Sequence, residues 1–62
     1  MTDAKRSKVA ERREGIAHLV NRNGYASIEF LSERYDVSTQ TIRRDIQALS
    51  KENLVTRHHG GA

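Results

Sequence analysis

The sequence predicts a mainly α domain of three helices followed by a small β-wing. Three observations carry that expectation. Apolar residues recur at helical spacing in three separate stretches, about 7–23, 28–35 and 39–52. Between the stretches stand residues suited to stopping one helix and starting the next, Gly24 with Ser27 and Asp36 with Ser38. Last, the run Leu54-Val55-Thr56-Arg57 has β-branched character and leads into Gly60-Gly61.

Sixty-two residues make one domain. A chain of this length buries only about 60% of the surface it exposes when unfolded, so it has one small core. There is no room for a roofed pocket or a cleft between lobes, which argues against an enzyme and against catalytic or cofactor-binding residues. The chain has no Cys, so neither a disulfide framework nor a Cys-based zinc site can support it, and a cytoplasmic setting is expected. No apolar run approaches the roughly 20 residues of a membrane span, and no signal-peptide stretch opens the chain, so no membrane partner is expected. The net charge of +3 is unevenly spread. Residues 1–24 carry six Lys/Arg against three acids, residues 25–37 one against three, and residues 38–62 four against two. Two basic stretches flank an acidic one, the pattern of a molecule with one face for a polyanion.

Residues 1–6 are polar and aperiodic, and are expected to be a disordered tail ahead of a domain at 7–62. In the first helix Val9, Ile16, Leu19, Val20 and Asn23 fall near one stripe, while Gly15 costs roughly 1 kcal/mol relative to Ala. Gly24 supplies the left-handed stop. Tyr25 and Ala26 form a short extended piece, and Ser27 caps a brief second helix with Ile28, Leu31 and Tyr35 on one side. Asp36 tolerates the backbone of a sharp turn, Val37 anchors that turn, and Ser38 caps the third helix. There Ile42, Ile46 and Leu49 form a narrow inner stripe, and Asn53 is a suitable stop. A strand over 54–57 is continued by His58-His59 toward a tight turn at Gly60-Gly61. Without a return strand, the wing beginning at 54–62 is expected to be truncated.

Two helices joined by a short turn, the second longer and Ser-capped, make a helix-turn-helix at about 26–45. A helix that reads DNA needs a polar outer face near its start, an inner stripe that locks it in place, and cations near phosphates. At about 100° per residue, with Ile42 at zero, Gln40, Arg44 and Gln47 lie roughly opposite the core, flanked by Arg43 and Thr41. Arg suits guanine O6/N7 and Gln suits adenine N6/N7 in the major groove of double-stranded DNA. Asp45, toward the edge of the inner stripe, is expected to hold a nearby basic side chain. Arg57, His58 and His59 would form a cationic wing edge. Two His without Cys or a carboxylate cluster make no metal site. Lys8, Arg12 and Arg13 could touch phosphates but read first as an ordinary solvated face.

The run Val37-Ser38-Thr39-Gln40-Thr41-Ile42-Arg43-Arg44-Asp45-Ile46, with Leu49 and Arg57-His58-His59-Gly60-Gly61-Ala62, resembles the N-terminal domain of the DeoR family of bacterial transcription regulators. The likeness extends back through Asn23-Gly24-Tyr25-Ala26-Ser27 and Arg13, so it covers about residues 8–62. The closing stretch is most similar to the glycerol-3-phosphate branch. The resemblance implies a winged helix-turn-helix that binds operator DNA, with Ser38 to Arg44 at the DNA-facing start of the third helix, and repression of sugar or sugar-phosphate catabolic genes. It also implies a C-terminal domain, outside this sequence, that senses a phosphorylated sugar and makes the whole protein a homo-oligomer. The isolated domain is expected to be a monomer. Ser32 and Asp36 depart from the small Ala and the Gly common at those places. A winged helix can also serve as a protein–protein module without DNA, but that would put apolar residues on the outer face of the third helix. RNA binding usually brings exposed aromatics; of Tyr25, Phe30 and Tyr35, at least Tyr35 is wanted by the core.

Overall fold

A computed structural model describes residues 7–62; the tail expected at residues 1–6 lies outside the described residues. The fold is mainly helical, with α1 at Lys8–Asn23, α2 at Ile28–Tyr35 and α3 at Thr39–Lys51. Each helix starts on a serine whose hydroxyl accepts a backbone N–H left without an intrahelical partner. Ser7 accepts from Ala10, Ser27 from Phe30 and Ser38 from Thr41, at 3.0–3.1 Å.

The helix ends are equally local. Gly24 takes a left-handed conformation (φ 87°), and its N–H donates to the Val20 carbonyl. After α2, Asp36 sits at φ 56°, with Asp36 N–H donating to Glu33 and Val37 N–H to Ser32. After α3, Asn53 repeats the arrangement at φ 62°, with its N–H on Ser50 and the Leu54 N–H on Leu49. Both are Schellman endings, in which the left-handed residue and the residue after it each return an N–H to the last carbonyls of the helix. The turn Asp36–Ser38 between α2 and α3 is thus fixed at both ends.

Ile16 and Val20 of α1, Leu31 of α2 and Ile42, Ile46 and Leu49 of α3 form the core, joined by Ala26, Val55 and Ala62 from the connecting segments. Each large aliphatic side chain so buried contributes about 1.5–3 kcal/mol. Val9, expected on the inner stripe, is 39% exposed. One turn further along, at i−4 from Ile16, the inward position is held by Arg12.

The chain after α3 differs from expectation. Among the described residues, Leu54 to Arg57 form no strand, and the β structure is limited to two isolated antiparallel bridges, Ser27 with Gly61 and His58 with Gly61. The physical reason lies in where the backbone and side chains go. The Leu54 N–H is used to close α3, and Val55 is buried as a core plug, so its branched side chain serves packing rather than a ladder. The turn itself is present: His58 and Gly61 exchange two backbone hydrogen bonds at 3.0 and 3.1 Å around His59-Gly60, with Gly60 at φ 78°. The chain does find a return partner, on an unexpected side. Ala26 and Ala62 exchange two hydrogen bonds, and the Ile28 N–H donates to Gly60, so residues 60–62 close against the extended piece before α2. Gly61 is required there, because a Cβ would fall on the Ala26 carbonyl oxygen and the Ser27 Cα.

Candidate nucleic-acid interface

Ser38, Gln40, Arg43, Arg44 and Gln47 are exposed along the outer side of α3, opposite the buried Ile42, Ile46 and Leu49. Thr39 and Thr41 are half-buried at its start. The Ser38 and Thr41 hydroxyls lie 3.0 Å apart, so the cap also orients the first polar side chains of the helix.

Arg57 and His58 are exposed as well, and the backbone links just described bring them round to α3. A groove runs between the two elements. Its walls are Gln40, Arg43, Arg44 and Gln47 on one side and Arg57, His58, His59 and the Gly60-Gly61 turn on the other, with Ile28 and Ile46 at its base. Three arginines, two histidines and two glutamines line it, and no carboxylate does. Such a lining offers fixed cations and amide donors and acceptors together, which suits a polyanion whose bases also carry hydrogen-bonding edges. The groove therefore gathers Gln40, Arg43, Arg44, Gln47, Arg57 and His58 from the expected site. Ser38, Thr39 and Thr41 stand apart from its lining, at the α3 start. His59 joins it.

Tyr25 braces the turn. Its ring lies 6.2 Å from that of His58, and its hydroxyl donates to the His59 carbonyl at 3.4 Å. Glycine at 61 leaves space for that hydroxyl, which would stand 2.8 Å from a Cβ there. Tyr25 and Phe30 are 46% and 47% exposed, while Tyr35 packs against the core. Among the described residues no group of three or more His, Cys, Asp or Glu is placed to hold a metal ion, and no helix is long and apolar enough to cross a membrane.

The ion pairs behind α3 correct the sequence reading of α1. Asp45 is 1% exposed, and its carboxylate accepts from Arg12 Nε at 2.5 Å, Arg12 Nη2 at 3.1 Å and Arg13 Nε at 2.9 Å. Arg12 is only 14% exposed. Arg12 and Arg13 are therefore held on α3 and are not a solvated face. The hydrogen bonds to Asp45 raise the Arg12 pKa above its usual value, against the opposing effect of burial. Asp45 does hold a basic side chain, as expected, and it holds two. One sequence signal for this was available: Arg12 is at i−4 from Ile16, and Asp45 is at i+3 from Ile42 and i−4 from Leu49, so both occupy inward positions.

The comparisons with known proteins agree with this architecture. Residues 12–62 match the model of the DeoR-like helix-turn-helix domain. The chain is 53% identical over 55 residues to the glycerol-3-phosphate regulon repressor of Escherichia coli, covering 89% of this chain and 22% of that protein. It is 51% identical over 51 residues to the HTH-type transcriptional repressor CsqR of the same organism, covering 82% and 20%. Against the L-fucose operon activator of Haemophilus influenzae it is 45% identical over 51 residues, again 82% and 20%. The chain thus spans about a fifth of the length of these relatives. No solved structure matches it at a significant level. With the three helices, the turn between α2 and α3 and these matches in hand, the chain belongs to the DeoR-like helix-turn-helix family.

Proposed function

We propose that the chain is a sequence-specific double-stranded DNA-binding domain of a transcription regulator, with α3 entering the major groove and residues 54–62 acting as a short wing. The carboxylate-free groove between α3 and the His58–Gly61 turn carries this reading. Gln40, Arg43, Arg44 and Gln47 read base edges, and Arg57 and His58 hold the backbone beside them. Ser38, Thr39 and Thr41 meet phosphate at the start of α3, where free N–H groups and hydroxyls favour an anion. The regulated genes belong to sugar or sugar-phosphate catabolism, in keeping with relatives named for glycerol-3-phosphate and L-fucose. Repression is favoured, since two of the three relatives described are named repressors. In a protein of its relatives' length, a phosphorylated sugar effector and homo-oligomer contacts lie outside these 62 residues. The chain alone is a monomer that reads one half-site, in the cytoplasm.

The test is to select preferred duplexes from a random pool and titrate variants against them. Arg44→Ala and Gln40→Ala should each lose about 1–3 kcal/mol of discrimination between selected and random duplex. Arg57→Ala should weaken both duplexes alike. Equal losses on both duplexes for Arg44 and Gln40 variants would place the reading face elsewhere.

A further inference from the structure

The outer face of α3 can read DNA only if the helix is held at a defined rotation, and apolar packing by itself favours burial without preferring an angle. Packing of Ile42, Ile46 and Leu49 is non-directional, so it constrains the rotation of the helix less sharply than hydrogen bonds of fixed angle do. A roll of about 20° moves a group about 6 Å from the axis by about 2 Å, enough to break a base hydrogen bond. One buried group on α3 does carry direction. Asp45 follows Arg43 and Arg44 in the chain, is 1% exposed, and accepts from Arg12 twice and Arg13 once. Charge-assisted hydrogen bonds converging on one carboxylate restrict angle as well as distance. A buried ion cluster of this kind is a poor source of net stability, because desolvation offsets most of the attraction; fixing one register among several is its best-attested use.

We infer that the Arg12–Asp45–Arg13 cluster is a specificity device: it fixes the rotation of α3 against α1 and so sets where Gln40, Arg43 and Arg44 meet base edges. The inference rests on the DNA-reading role proposed above. Asp45 and its arginines are positioning residues and touch no base. The same pairing keeps the Asp45 charge on the inner side of α3, away from the groove.

The test compares affinities of the chain for a duplex selected from a random pool and for a random-sequence duplex of equal length. Their ratio is insensitive to the folded fraction, so lost stability alone leaves it unchanged. In Arg12→Met/Asp45→Leu the buried pair is replaced by apolar groups of similar size, and the half-exposed Arg13 is left to solvent. This variant should still melt cooperatively and bind random duplex as the parent does, while the ratio falls about tenfold or more. Arg12→Lys keeps the charge and loses the guanidinium fork, and should fall between. A folded double variant with the parent's ratio overturns the inference and leaves the DNA-reading role standing. If the double variant does not fold, Arg12→Lys decides: an unchanged ratio overturns the inference, a reduced one supports it. A parent chain that does not distinguish the two duplexes overturns the inference together with the role it rests on.

Discussion

Gly15 shows how a residue that is wrong by local preference can be right for the fold. In the middle of α1 an alanine would favour the helix by about 1 kcal/mol. A Cβ at that place, however, would stand 2.5 Å from the Tyr35 hydroxyl oxygen and 3.4 Å from the ring carbon bearing it. Tyr35 closes the last turn of α2 against the core, so Gly15 is the socket into which α2 locks. The helix preference and the packing therefore oppose each other, and the packing term can be removed by taking away one oxygen. Gly15→Ala is expected to lower the melting temperature of the parent chain, because the tyrosine ring must shift. In a Tyr35→Phe background the same substitution should be neutral or stabilising by up to about 1 kcal/mol. Thermal melts of the four chains of this cycle give the coupling directly, and identical effects of Gly15→Ala in both backgrounds would dismiss the socket.

Among the elements, those whose limits are set by nearest neighbours were legible in the sequence. Gly24, Ser27, Asp36, Ser38 and Asn53 act on backbone groups three to five residues away, and each stands where its chemistry predicts. The outer face of α3 was legible for the same reason, since helical geometry alone places Gln40, Arg44 and Gln47 opposite Ile42. What was not legible depends on contacts more than thirty residues apart. Arg12 and Arg13 meet Asp45 across such a gap, and so do Ala26 and Ala62. The run 54–57 misled because branched side chains favour a strand and also suit a core plug, and only the choice of partner separates the two. Asp36 offers a clean check of the local physics. It holds a left-handed conformation that costs an ordinary L-residue roughly 1–2 kcal/mol and costs Gly nothing, with Asp between them. Asp36→Gly should therefore stabilise the chain by up to about 1 kcal/mol in denaturant titration without altering helix content. A destabilised variant would mean that the aspartate contributes something beyond its backbone angles.

For the whole molecule, charge is sorted by position. The acidic residues of α2, Glu29 and Glu33, are exposed, and so is Asp36 after it, yet none of them lines the groove between α3 and the C-terminal turn. Two of the α1 cations are already committed to Asp45, so they add little to any outer face. Among the described residues the cations facing the groove are Arg43, Arg44 and Arg57, and under the proposed binding mode that small number sets the electrostatic share of DNA binding. Each phosphate neutralised contributes about −0.9 to the slope of log affinity against log salt. On a random duplex, which does not offer matched bases to both α3 arginines, one of them falls to a phosphate beside Arg57, and the expected slope is shallow, about −2. Arg57→Gln should bring it closer to −1, while Arg12→Gln should leave it unchanged, because that guanidinium is turned onto Asp45. Affinities for one random duplex across a range of salt concentrations measure all three slopes. A slope far steeper than −2 in the parent chain would show that cations outside the groove, such as the exposed Lys8, also meet the DNA. A slope that Arg12→Gln reduces as much as Arg57→Gln does would show that the α1 arginines leave Asp45 to join them, and either result would move the interface from one groove to a broader face.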